Sequence, residues 1–179
     1  MTHKIIDIPE EIYIKLTELK RTNETIPDLL TRLIESTNEL KEDLPDSEKQ
    51  KIIDNLNLAL KNFKEDTINL QDNWDGQESK GFSEELWQRV IDFLLIVYIK
   101  LYKEELKVPF PLVLPNTDGS LDIDWETESF ELLINFPPDP EELVHMYGEK
   151  IGNPKHELDV RINRELAGLV VSEWLKKIL

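Results

Sequence analysis

Cysteine is absent from the 179 residues, which excludes disulfides, thiolate metal sites and cysteine nucleophiles. Histidine is scarce as well: besides His3 there are only His145 and His156, and neither has a Ser, Cys or His-Glu-x-x-His context that would make it catalytic or metal-ligating. Long apolar runs are missing. The longest, Val90 to Tyr102, is interrupted by Asp92 and Lys100 and falls short of the roughly 20 residues that a bilayer crossing needs, so it reads as a buried helix and no membrane partner is expected. Nothing at the N-terminus has the pattern of a secretory leader, and the cytoplasm is the expected location. Positive charge is in short supply too: 21 Lys and Arg face 37 Asp and Glu, a net charge of −16, which opposes indiscriminate binding to the polyanions DNA, RNA and acidic membrane. Five basic and seven acidic side chains fall before residue 37, so −14 of that excess lies downstream.

What is present describes a folded protein. An apolar fraction of 40% with 32% charged residues and four Trp is enough to bury a core. The length suits a small module followed by a medium domain. The expected division is 1–38, a dimerisation module; 39–79, a connector helix and linker; and 80–179, an α+β domain.

Lys4-Ile5-Ile6-Asp7-Ile8 is a β-prone run, and Pro9 stops it and suits the first turn of a helix. Glu10 and Glu11 complement the helix dipole, and Ile12, Leu16 and Leu19 recur at helical spacing. Arg21 to Glu24 breaks that pattern, and Thr25-Ile26-Pro27-Asp28 then has the form of a capping box opening a second helix with Leu29, Leu30, Leu33 and Ile34 on one side. One strand and two short helices cannot bury their apolar faces alone, so a second copy is the simplest partner and a homodimer is expected.

The segment IIDIPEEIYIKLTELKRTNETIPDLLTRLIES, from Ile5 to Ser36, resembles the ribbon-helix-helix fold of archaeal and bacterial antitoxins. The resemblance implies that paired strands enter the major groove of operator DNA. Alternation along the strand would turn His3, Ile5 and Asp7 to the DNA, with Lys4, Lys15, Lys20, Arg21 and the helix start at Thr25 available to phosphates. Asp7 departs from the family pattern, because in both copies of a dimer it would bring negative charge toward phosphate.

In the connector, Ile53, Leu56, Leu60, Phe63 and Leu70 form a heptad-like seam that suits either a twin helix or the following domain. Ser83 then caps a helix expected to run to about Leu106. The period next changes to two. Pro109, Pro111 and Pro115 frame an edge strand, Asn116 to Gly119 makes a hairpin turn, and Leu121, Ile123 and Trp125 alternate with Asp122, Asp124 and Glu126. Further strands are expected at Phe130–Phe136, Leu143–Glu149 and Glu157–Ile162, and Asn163 is expected to cap a last helix. The fold class is therefore α+β: a ribbon-helix-helix, a connecting helix, then an antiparallel meander sheet flanked by two helices. Asn73-Trp74-Asp75-Gly76, Pro111 to Pro115, Asp118-Gly119-Ser120 and Trp125 resemble a small prokaryotic domain of unassigned function, which implies no chemistry.

Asn116, Asp118, Asp122 and Asp124 invite a calcium-loop reading, but Leu114 and Trp125 occupy positions where that loop needs acids. No metal or other cofactor is expected, and an enzyme ranks behind two binding readings. The first is an antitoxin-like dimeric regulator that touches operator DNA and holds a basic protein, such as a toxin ribonuclease, with its acidic C-terminal part. The second is a dimeric scaffold without DNA binding. Candidate partner-binding residues are Trp74, Asp122, Asp124, Glu126 and Glu128, with Trp74 also expected to plug the core beside its turn.

Overall fold

A computed structural model describes residues 17, 20, 24–29, 31–32 and 44–179. The expected strand Lys4–Ile8 and the helix carrying Ile12, Leu16 and Leu19 lie outside the described residues. Where the second helix begins, the capping box is formed: the Thr25 hydroxyl and backbone N–H both donate to Asp28 Oδ2, at 2.6 and 3.0 Å, and Asp28 N–H donates back to Thr25 Oγ1. Ile26 and Leu29 are buried against Ile99 and Leu169, and Arg32 bridges Glu24 at 2.7 Å and Glu173 at 3.0 Å. These residues thus pack on the C-terminal part of the chain.

Helix α1, Asp46–Ile68, starts directly after Pro45, whose fixed φ suits that place, and carries Asp46 and Glu48 in its first turn. Three of its five seam residues go into the main core, Leu56 and Leu60 buried there and Phe63 packed beside them, whereas Ile53 is not part of that core and Leu70 lies past the helix end. Helix α2, Glu84–Lys103, has its N-cap in Ser83, whose Oγ accepts from Leu86 N–H at 3.1 Å, with Glu84 and Glu85 in the first turn and Lys100 and Lys103 in the last. It ends before the expected Leu106 because Glu105 takes a left-handed conformation (φ 56°) and Leu106 N–H turns back to Leu101 O, closing the helix end.

Five strands follow: β1, Leu112–Pro115; β2, Leu121–Glu126; β3, Phe130–Phe136; β4, Val144–Lys150; and β5, Asn153–Ile162. They pair in chain order as one antiparallel sheet. The last strand begins four residues earlier than the sequence pattern indicates, because Ile151 and Gly152 (φ 76°) make a tight turn that brings Asn153 opposite Lys150. Helix α3, Arg164–Ile178, closes the chain. Asn163 precedes it without a side-chain cap; its backbone carbonyl accepts from Leu166 and Ala167 instead.

One side of the sheet is covered. Leu121, Ile123, Trp125, Phe130, Leu132, Ile134, Phe136 and Met146 point into a core shared with Phe93, Leu94 and Val97 of α2 and Val171 and Trp174 of α3. Two buried indole N–H groups find carbonyls, Trp125 to Pro109 O and Trp174 to His156 O, each at 2.9 Å, as burial of a donor demands. Gly148 leaves room for Trp174: a Cβ there would lie 3.0 Å from the indole. Among the described residues no helix is long and apolar enough to cross a membrane.

Candidate functional site

The other side of the sheet has no helix among the described residues, and alternation fixes what it shows. From β1 come Leu112 and Leu114; from β2, Asp122, Asp124 and Glu126; from β3, Glu131, Leu133 and Asn135; from β4, His145, Tyr147 and Glu149; and from β5, Glu157, Asp159 and Arg161. The register sorts them into rows running across the strands. One row is Leu112, Asp124, Leu133, Tyr147 and Asp159. Beside it on one flank lie Glu126, Glu131 and Glu149, paired in sequence across β2, β3 and β4. On the other flank lie Leu114, Asp122, Asn135, His145 and Arg161.

The middle row carries three exposed large apolar side chains between its two aspartates and the sheet edge. Leu112 is 48% exposed, Leu133 41% and Tyr147 39%; Leu133 and Tyr147 are direct cross-strand neighbours, and Asp124 separates Leu133 from Leu112. Asp124, Glu126, Glu131, Leu133 and Tyr147 line a depression of about 410 Å³. Negative charge on this face is mutually felt. Partial burial, and then Glu126 and Asp122, raise the Asp124 carboxyl above its ordinary value. Glu149 first, with Glu157 and Glu131 also acting, raises the Tyr147 phenol. The face is therefore a site where incoming positive charge relieves repulsion already present.

The basic side chains on the face are engaged or lie at its edge. His145 Nε2 sits 3.0 Å from Asp159 Oδ1, and Arg161 lies opposite His145 at the far edge. Asn135 ties the face to the hairpin, its amide donating to both Asp122 Oδ1 and Ser120 Oγ at 2.8 Å. Ser120, almost wholly buried, donates its hydroxyl to Asp118 Oδ1 at 2.7 Å. That bond, first, and the Ser120 N–H, second, hold Asp118 below the ordinary carboxylate range.

Of the residues singled out from sequence, Asp122, Asp124 and Glu126 stand together on the open face. Glu128 does not join them: it lies in the β2–β3 turn, where Thr127 Oγ1 organises the chain by donating to Phe130 O and accepting from Ser129 and Phe130 N–H. Trp74 lies elsewhere again, half-buried and outside the main core, so it does not act as the expected plug. Its indole N–H donates to Lys80 O at 3.0 Å and closes a loop already laced by Asp75, whose Oδ1 accepts from Gln77 N–H and Ser79 N–H. That loop docks on the β1–β2 hairpin through Lys80 N–H to Thr117 O, and Gly119 (φ 87°) gives Lys80 room. The Asn73 to Gly76 turn is thus part of a brace against the β1–β2 hairpin. Among the described residues no three His, Asp or Glu side chains are placed to share a metal ion.

Among the candidate DNA-facing residues, His3, Lys4, Ile5, Asp7, Lys15 and Arg21 lie outside the described residues. Lys20 N–H donates to Thr17 O at 3.4 Å. Thr25 is described, and the N–H groups of Thr25 and Asp28 are spent on the capping box. Sequence reasoning missed Leu112, Leu133, Tyr147, Glu131 and Glu149; each lies at an outward position of an expected strand, but only the register brings them into rows.

The described fold is an α+β layer with an open-faced antiparallel meander, and the site is the exposed Leu112, Leu133 and Tyr147 set among carboxylates on that open face. No family model, curated protein or solved structure matches the chain.

Proposed function

We propose that this chain is an antitoxin-like, dimeric interaction protein that holds a basic protein on the open face of its sheet. The observation that carries the reading is the juxtaposition of exposed Leu133 and Tyr147 with the Glu126, Glu131 and Glu149 row. Apolar area in the middle supplies binding energy, and a carboxylate border selects a partner of opposite sign and speeds its approach. A second negative copy is repelled from the same face, so pairing of two chains is assigned to the N-terminal segment outside Ile26 and Leu29, which are buried on this chain's own Ile99 and Leu169.

For that segment, a scaffold role without DNA contact is favoured by the capping box, which spends two N–H groups that a phosphate would otherwise use, and by the net charge of −16. Two experiments test these arms. Affinity capture of the tagged full chain from its host, followed by identification of the captured protein, is expected to return a partner of strongly basic composition. The Glu126→Gln, Glu131→Gln, Glu149→Gln chain should lose that partner, and equal capture by both chains contradicts the reading. Titration of the dimer with its own upstream DNA across a salt series decides the other arm: sequence-specific, salt-weakened binding supports a regulator, and no binding at low salt supports the scaffold.

A further inference from the structure

Building on the reading that the open face holds a basic protein, we infer that the partner lays one amphipathic α-helix across the strands of that face. Its apolar stripe rests on Leu112, Leu133 and Tyr147, and Lys or Arg on one flank meets Glu126, Glu131 and Glu149. Spacing along the row matches a helix. Leu112, Leu133 and Tyr147 occupy one cross-strand row on β1, β3 and β4, with Asp124 of β2 between the first two. Strands lie roughly 4.8 Å apart, which sets these side chains at about 0, 10 and 14 Å along the row. A helix rises about 1.5 Å per residue, so positions i, i+7 and i+10 fall at about 0, 10.5 and 15 Å, and those positions share one helical face.

The glutamate row lies two residues further along each strand, roughly 7 Å away, just beyond the half-width of about 5–6 Å of a helix and within reach of a Lys or Arg side chain extending from its flank. Charge complementarity therefore orients the helix as well as attracting it. Glu126, Glu131 and Glu149 form a purely acidic flank, whereas the opposite flank is mixed, with Asn135, His145 and Arg161. A helix with cations on one side of its apolar stripe fits this asymmetry. A second copy of this chain does not, because it would set carboxylates against carboxylates.

The test uses the full-length chain and two synthetic helical peptides of identical composition. One carries Leu at i, i+7 and i+10 with Lys along one flank, and the other has the same residues scrambled. Binding is read by fluorescence anisotropy of the labelled peptide. The patterned peptide is expected to bind about tenfold tighter than the scrambled one. Leu133→Ser with Tyr147→Ser should erase that advantage, and the Glu126→Gln, Glu131→Gln, Glu149→Gln chain should weaken both peptides. All these positions are surface positions, and a wild-type circular dichroism spectrum confirms that each variant is folded. Equal affinity for both peptides, still reduced by the Gln substitutions, overturns the helix and leaves the basic-partner reading standing. No binding of either peptide, or binding indifferent to the Gln substitutions, overturns both.

Discussion

Two aspartates a few residues apart are pushed in opposite directions by their surroundings. Asp118 accepts from the Ser120 hydroxyl and N–H and is held below its ordinary value, so its folded-state pKa is lower than its unfolded one. Its contribution to stability is present above the unfolded pKa and is lost as pH falls through the folded one. Asp124 is raised, by partial burial first and by Glu126 and Asp122 next, so its sign is reversed: the folded state holds the proton more tightly, and stability declines as pH rises between the unfolded and folded values. Asp124→Asn should therefore stabilise the protein at pH 7, by a few tenths of a kcal/mol once solvent screening is allowed for, and the gain should vanish at pH 3. Thermal melts of both proteins at the two pH values check this. A gain that is unchanged in acid would mean that charge at Asp124 is not the cause.

Ser120 is the other residue with a decisive environment. Its buried hydroxyl donates to Asp118 and accepts from Asn135 and, at 3.2 Å, from Asn116. Ser120→Ala removes the shared partner of three side chains, and a cost of about 1 kcal/mol follows from the hydrogen bonds lost in this part-buried network. Urea denaturation should show a lower midpoint with an unchanged slope. The residues in this network were legible in the sequence as an Asp-Gly-Ser turn, but their cooperation with Asn135 was not, since Asn135 reaches Ser120 only because β2 and β3 pair in the observed register.

At the scale of elements, local rules carried far. Ser83 caps its helix, Thr25 and Asp28 make their box, and the alternation of Leu121, Ile123 and Trp125 marks the buried side of β2. They failed at element ends. Glu105 stops α2 by adopting positive φ, and the Gly152 turn extends β5 back to Asn153 through a Gly-Asn-Pro segment that reads as loop. Proline is compatible with that placement because β5 is an edge strand. Glu128 was grouped with the acidic strand for a related reason: the alternation runs on through the letters, but the turn at Thr127 breaks the pleat.

Contacts between elements can also reverse what propensity alone suggests. Gly168 sits inside α3, where Ala would favour the helix by roughly 0.5–1 kcal/mol. A Cβ there, however, would lie 2.9 Å from Ile96 Cγ2 and 3.3 Å from Phe93 O on α2, and overpacking of this kind costs about 1–3 kcal/mol. The second effect is the larger, so Gly168→Ala should destabilise the protein by about 1 kcal/mol, measured by chemical denaturation. Stabilisation instead would show that Ile96 yields freely and that the two helices are less tightly joined than the geometry indicates.

For the whole molecule, the division of labour between the two sides of the sheet is the main result. One side is filled by three helices' worth of apolar side chains, and the other presents an apolar row under a border of carboxylates. The sequence conveyed that such an acidic strand existed and that its charge suited a basic protein. It did not convey the surface itself, because Leu112, Leu133 and Tyr147 come from three strands and look like isolated exceptions in a linear pattern. Register, a tertiary property, sets them in one cross-strand row.

Zero-length cross-linking between carboxylates of this chain and lysines of the captured basic partner, read by mass spectrometry, tests the proposed role of that face most directly. Cross-links concentrated at Glu126, Glu131, Glu149 and Asp159 are the predicted result. Cross-links confined to the exposed carboxylates of α1 and α2, such as Asp54, Asp66 and Glu85, with the sheet face untouched, would contradict it.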